Sequence, residues 1–243
     1  MQSSHTPLTT WFWGAYLMTT QTPGQSALQF QRQLGLSRYE TAFQMLHKLR
    51  SGMVRPGRET IGGEWPVEVD ECMVGGRIRG KGRGPHRGDK AIVVGAIEVR
   101  NGGRSSNDPK RKHLNRIHAG RLRLAIVPGR QTEPLCEFVQ ANVTKGSVVR
   151  TDGWHGYCSL TNLGYMHEPE TAGGDHAVTA RHLPMIHLVF SNMKTWIDGT
   201  HHGVSQQHLQ AYLNEYVFRF NRRFYPMTAF NSVLGISAHV VPP

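Results

Sequence analysis

Acidic residues are scarce. In a chain of 243 residues, 17 Asp and Glu face 28 Lys and Arg, a formal net charge of +11 with a pI near 10.0. Cysteine is scarcer still: Cys72, Cys136 and Cys158 lie far apart and none belongs to a C-x-x-C pair. That excludes a disulfide framework and a zinc ribbon, and leaves three small, partly buried hydrophobes in a reducing cytoplasm. No apolar run is long enough to cross a bilayer, so no membrane partner is expected. The opening MQSSHTPLTTWFW lacks the basic segment and apolar core of a secretory signal. No internal repeat is visible. What remains is 38% hydrophobic and 19% charged, a globular composition long enough for one medium domain and a small one. The positive excess attracts polyanions, of which nucleic acid is the commonest. Charge alone would suit an RNA-binding or ribosomal protein equally.

The first 56 residues read as three helices. Thr9 to Thr20 is apolar and aromatic, and Pro23-Gly24 breaks it. Ser26 is placed to cap a second helix carrying Ala27, Leu28, Phe30 and Leu34. After the turn Gly35-Leu36-Ser37, the S-x-x-E string Ser37 to Glu40 reads as a capping box. Tyr39, Phe43, Leu46, Leu49 and Met53 follow at helical spacing, with Arg38, Thr41 and Lys48 off that stripe. Three helices with a glycine turn before the last suggest a helix-turn-helix whose third helix meets DNA through these polar residues. PGRETIGG, Pro56 to Gly63, then reads as linker sequence, with the linker bounded at residues 57–66. The glycine-rich stretch Gly75 to Gly88 carries Arg77, Arg79, Lys81, Arg83 and Arg87, a basic arm suited to phosphate contacts.

Beyond the linker the pattern changes. Val67 to Asp70 is a short strand ending on a carboxylate. Lys90 to Val99 is a buried strand and Leu122 to Val127 a third. Thr132 to Asn142 is a helix with Leu135, Phe138 and Val139 inward. Val148 and Val149 then make a strand that delivers Asp152 to its own end, before Gly153, Trp154, Gly156 and Tyr157 turn the chain. Three strands, a helix and a strand is the order of an RNase H-like fold. The expected class is therefore α/β: an RNase H-like mixed sheet flanked by helices over residues 67–235, preceded by a small all-α helix-turn-helix domain, with a tail at 236–243. Met166 to Arg181 reads as a polar loop. A helix follows from Pro184, closed by Gly199, with Ile186, Val189, Phe190, Met193 and Ile197 buried and His187 and Lys194 on another face. Ser205 starts a last helix that ends in Arg219, Asn221, Arg222 and Arg223.

In such a sheet the first and fourth strands are neighbours, so Asp70 and Asp152 meet despite their separation in sequence. Phosphoryl transfer on nucleic acid needs divalent ions held by oxygen ligands, and magnesium prefers carboxylates. Glu71 adjoins Asp70, but adjacent strand residues point to opposite faces. Trp154 and Tyr157 suit either base stacking or packing beneath the turn.

The strings VEVDECMVGG, TDGWHGYCSLTNLGYMH and HLVFSNMKTWIDGTHHGVSQQHLQAYLNEYVFRFNRR together resemble the bacterial insertion-sequence transposases with an ISXO-like DDE domain. GTHHGVS and FRFNRR are its most specific parts, and the likeness runs from about Thr6 to Gly235. The resemblance implies a DNA transposase that cleaves and joins insertion-sequence ends with two Mg2+ (or Mn2+) ions. It makes Asp70 and Asp152 the first two members of an acidic triad and metal ligands. It implies DNA, both transposon ends and target, as the partner, a homodimer on paired ends, and a place in the bacterial cytoplasm at the nucleoid.

Two departures stand beside that likeness. The zinc ribbon that usually precedes the helix-turn-helix in such proteins is missing ahead of Trp11, so the chain reads as an N-terminally shortened copy. Where many relatives carry glutamate, seven residues before the helix lysine Lys194, this chain has His187; other relatives have asparagine as third member, which here would be Asn192. Helix geometry favours His187, which shares a face with Lys194, while ligand chemistry favours the amide oxygen of Asn192. Either leaves the site one negative charge short of three carboxylates. Lys194, Arg222 and Arg223 are the expected phosphate contacts of this part of the chain. The rival to an active enzyme is a weakened or inactive DNA-binding transposase remnant.

Overall fold

The computed structural model describes residues 5–54, 57–75, 90–101, 117–171 and 181–235. In chain order these form α1 (Leu8–Thr20), α2 (Ala27–Gln33), α3 (Tyr39–Ser51), β1 (Val67–Val74), β2 (Ala91–Asn101), β3 (Ile117–Val127), α4 (Thr132–Asn142), β4 (Val148–Thr151), a 3-10 turn (His155–Tyr157), β5 (Met166–Pro169), α5 (Pro184–His201), α6 (Gln206–Asn221) and α7 (Pro226–Leu234). They fall into two compact units. One comprises the described residues 58–193; the other joins those up to 57 with those from 194 onward. Compactness thus cuts the chain differently from sequence order. The last helices fold with the first ones, and α5 contributes its first ten residues to one unit and the rest to the other.

The sheet unit holds five strands in the order β3-β2-β1-β4-β5. The pairs β1–β2 and β2–β3 are antiparallel, β1–β4 and β4–β5 parallel. This is the RNase H-like α/β arrangement. Val67 and Val69 of β1 bury into a core with Val94, Ala96 and Val149 and with Leu135, Phe138 and Val139 of α4. Each of the valine, leucine and phenylalanine side chains, fully buried, stabilises the fold by about 1.5–3 kcal/mol. The intervening β1 residues, Glu68 and Asp70, reach the first turn of α5 by the period-two alternation of a strand.

Residues 58–63, expected as linker, are part of this unit. Ile61 is fully buried and pairs with Val143, its N–H donating to the Asn142 carbonyl at 2.8 Å. The Gly62 N–H donates to the buried Glu98 carboxylate, which also accepts from Arg100 and Arg121. Strand β5 occupies the expected loop. Its four residues are mostly exposed, so they carry no apolar alternation by which a strand is recognised.

The helical unit packs Trp11, Ala15 and Met18 of α1, Phe30 of α2 and Ala42, Met45, Leu46 and Leu49 of α3 with Phe218 of α6 and Ala229 of α7. Ser26 caps α2 as expected, accepting from the Gln29 N–H at 3.2 Å. The capping box at Ser37 does not form. The Gln31 side chain donates to the Leu36 carbonyl, and α3 starts one residue later, with Arg38 as its cap. Gly199 does not close α5, which continues to His201. Helix α7, bounded by Pro226 and the left-handed Gly235, is an addition to the expected elements. No helix among the described residues is long and apolar enough to cross a membrane.

Candidate functional site

The β1–β4 ladder is short: Val67 faces Val149 and Glu68 faces Arg150. The same register carried two residues further sets Asp152 beside Asp70. There β4 has ended, and β1 continues alone alongside β2 to Val74. The edge of β1 at Asp70 and Glu71 is therefore uncovered by a strand on that side. Carboxylates that start from opposite faces converge at this edge: one oxygen each from Asp70, Glu71 and Asp152 lie within 4.8 Å of one another. Alternation is obeyed by the backbone, and the open edge brings Glu71 back to its neighbour.

Each acid is held. Asp152 accepts the Trp154 N–H at 3.0 Å, closing a turn around Gly153 at φ 75°. A Cβ there would lie 2.7 Å from the Thr171 hydroxyl, so a side chain meets both strain and contact. Asp70 accepts the Glu71 N–H at 2.8 Å and pairs through its other oxygen with His187 Nε2 at 3.0 Å. The hydrogen bond to Asp70 raises the His187 pKa above its usual value, against the opposing effect of burial. The Glu71 side chain, 3% exposed, accepts from the Tyr157 hydroxyl at 2.6 Å and from Arg130 Nε at 2.6 Å. Burial pushes its pKa up, and pushes that of Tyr157 well up. The Arg130 guanidinium stacks on Trp154, whose ring nitrogen donates to the Arg130 carbonyl at 3.0 Å. Trp154 and Tyr157 therefore pack and hydrogen-bond beneath the site.

The face of β1 toward α5 is as ordered. Glu68 is 1% exposed and accepts both the Met185 and Ile186 N–H groups at 2.8 Å. Burial, the largest influence, raises its pKa to about 7 despite those two bonds. Gly95 of β2 is the register partner of Asp70. A Cβ on it would stand 2.8 Å from Ile186 Cδ1 and 3.0 Å from Phe190 Cε1. The absent side chain is what lets α5 approach the sheet this closely.

The structure thus brings together Asp70, Asp152 and His187 of the expected site residues, and adds Glu71, Glu68, Arg130 and Gly95. Glu68 carries a sequence signal: it is an acid two residues from Asp70 inside an apolar strand, hence on the same face. Arg130 and Gly95 carry none that local pattern reveals. Asn192 is exposed on α5, and Lys194, also exposed, belongs to the helical unit. The same unit holds Arg38 and Lys48, both exposed, and the half-buried Thr41. Arg222 and Arg223 follow α6, stacked over Phe218 and Phe220. Arg77, Arg79, Lys81, Arg83 and Arg87 lie outside the described residues.

An all-oxygen set of three acids at a sheet edge suits a hard divalent cation. Compared with known families, residues 60–221 match the ISXO2-like transposase domain. No curated protein and no solved structure matches the chain.

Proposed function

Because the chain belongs to the family of ISXO2-like transposase domains, we propose that it is a DNA transposase that cleaves insertion-sequence ends and joins them to target DNA. The observation that carries this reading is the convergence of Asp70, Glu71 and Asp152 at the end of the β1–β4 ladder. Asp70 and Asp152 are the ligands for Mg2+ or Mn2+ in a two-ion site. Bound there, such ions supply charge neutralisation at the scissile phosphate and a more acidic attacking water. The two displacements are in line. Water breaks a phosphodiester at the element's end and frees a 3′-hydroxyl, and that hydroxyl attacks a target phosphodiester, whose own 3′-oxygen leaves with a proton.

The 3.0 Å contact of His187 with Asp70, beside the solvent-facing Asn192, supports His187 as the third member. His187 keeps the Asp70 carboxylate oriented and contributes an imidazole where a third carboxylate would add negative charge. Glu71, fixed by Tyr157 and Arg130, restores an acid near that point from the same strand. DNA contacts fall to Arg38, Thr41 and Lys48 of α3, to Lys194, Arg222 and Arg223, and to the basic arm with Arg77, Arg79, Lys81, Arg83 and Arg87. The working form is a homodimer on paired ends at the bacterial nucleoid, where the net charge of +11 favours contact with DNA. The test is nicking and strand transfer on plasmid and end-bearing DNA. Activity should require a divalent metal, vanish with EDTA and vanish in Asp152→Ala. DNA binding without either reaction in the wild-type chain would replace this reading with that of a remnant.

A further inference from the structure

We propose that Glu68 is a positioning residue, a latch that fixes the first turn of α5 on β1 so that His187 stands against Asp70. The inference rests on the metal-site reading above and deepens it.

A helix begins with amide N–H groups that lack intrahelical partners. In α5 two of them, from Met185 and Ile186, are taken by one oxygen of Glu68 at 2.8 Å each. The acceptor lies on another element and is 1% exposed, so the bonds are out of competition with water. The next residue of α5 is His187, and the residue two along β1 from Glu68 is Asp70. The two cross-links between these elements, Glu68 to the amides and Asp70 to the imidazole, are therefore adjacent rungs of one contact. A second feature sets the same approach. Gly95, beside Asp70 in the sheet, offers no side chain where Ile186 and Phe190 press closest. Glu68 pulls the helix start down onto β1, and Gly95 lets it come. Neither residue touches the converged oxygens of Asp70, Glu71 and Asp152; both act through the placement of His187.

Length matters more than charge in this role. Glutamine at position 68 keeps an oxygen that can accept both amides, aspartate is one methylene short, and alanine has no acceptor. The measurement is Mn2+ affinity of the full chain, followed by EPR of the free ion, beside cleavage rate. Glu68→Ala and Glu68→Asp should each weaken Mn2+ binding about tenfold, while Glu68→Gln stays within about twofold. The decisive arm is the double variant. If Glu68 acts through His187, Glu68→Ala in a His187→Ala background should weaken binding no further, because the latch then has nothing to place. A purely structural contribution to the fold would add to the His187→Ala loss instead. Additive losses, or an unchanged Glu68→Ala, overturn the latch while the metal reading stands. A wild-type chain that binds no Mn2+ overturns the metal reading and the latch with it. Should Glu68→Ala fold poorly, Glu68→Gln against Glu68→Asp decides: equal losses in both overturn the proposal.

Discussion

The two units bury charge in opposite ways. In the sheet unit the interior carboxylates are each wrapped in donors. Glu98 has two arginines and the Gly62 amide, Glu71 has Arg130 and Tyr157, and Glu68 has two helix amides. In the helical unit the buried charges are an ion pair whose carboxylate, Glu215, is 0% exposed and whose cation has more donors than it uses. Arg50, 1% exposed, pairs with Glu215 through Nε at 2.9 Å and lies over the Tyr212 ring. Its two terminal nitrogens, and Nε2 of His47 and of His201, meet no hydrogen-bond partner among the described residues. A buried pair whose donors are only partly used contributes little net stability but is costly to break. The sheet unit uses its donors to aim acids; the helical unit buries an ion pair, Arg50 with Glu215, against the Tyr212 ring.

Four changes probe that contrast. Asp152→Ala should reduce cleavage and joining at least ~10³-fold while DNA affinity, read by anisotropy, stays with the helical unit. Loss of both together would mean that the two units do not divide these roles. Glu215→Ala strands Arg50 and should destabilise the helical unit by about 3–5 kcal/mol, seen as earlier deuterium exchange in α3 and α6 with β1 to β4 unaffected. Tyr157→Phe removes one donor from Glu71 and should cost the sheet unit about 1.5–3 kcal/mol in urea melts, less than Glu215→Ala because Arg130 remains. Smallest of the four, Lys48→Ala should leave folding alone and lower the slope of log affinity against log salt by about 1, if Lys48 meets a phosphate. No change in slope would remove it from the contact set.

Acid separates the units without mutation. Burial, aided by nearby Arg50, depresses His47 to about 4 and His201 to about 3. A depressed histidine stabilises the fold above its unfolded value, near 6.5, and that stability is lost as pH falls through the folded value. Glu68, raised to about 7, has the opposite sign: its contribution is full below the unfolded value of 4.5 and is lost as pH rises through 7. Burial would raise Glu98 too, but bonds from Arg121, Gly62 and Arg100 bring it down to about 2, so its contribution persists above 4.5 and fails only as pH falls through 2. Between pH 6.5 and 4.5 the helical unit should therefore weaken, while in the metal-free sheet unit the gains from the raised Glu68, Glu71 and His187 oppose the loss from His167, lowered by burial. NMR spectra across that window should show α3 and α6 resonances lost first; simultaneous loss would sink the comparison.

Much of this architecture is legible in the residues. The apolar strands, the helix from Thr132 and the stripe Ile186, Val189, Phe190, Met193 and Ile197 follow directly from periodicity. Their order alone sets β1 beside β4, which is why Asp70 and Asp152 can be paired from sequence. What periodicity cannot convey is where a ladder stops. The convergence of Glu71 with Asp70 depends on β4 ending at Thr151, and that is a fact of register. Likewise β5 has no alternation, Ser37 gives way to Arg38 as the cap of α3, and Arg130 joins the site from a turn remote in sequence. The assignment of α6 and α7 to the N-terminal helices is a tertiary choice with no local signature.

That last assignment has a consequence for how the protein is made. The core that Trp11, Phe30 and Leu46 begin is completed by Phe218 and Ala229, almost two hundred residues later. At roughly 5–20 residues per second, a ribosome holds the opening three helices for on the order of ten seconds or more before their closing partners emerge. During that interval the sheet can already assemble, since every one of its strands precedes α5. A nascent chain would thus acquire its acids in place before it acquires a finished helical unit, and an interrupted translation product would leave an apolar, aromatic surface for chaperones or proteases to find.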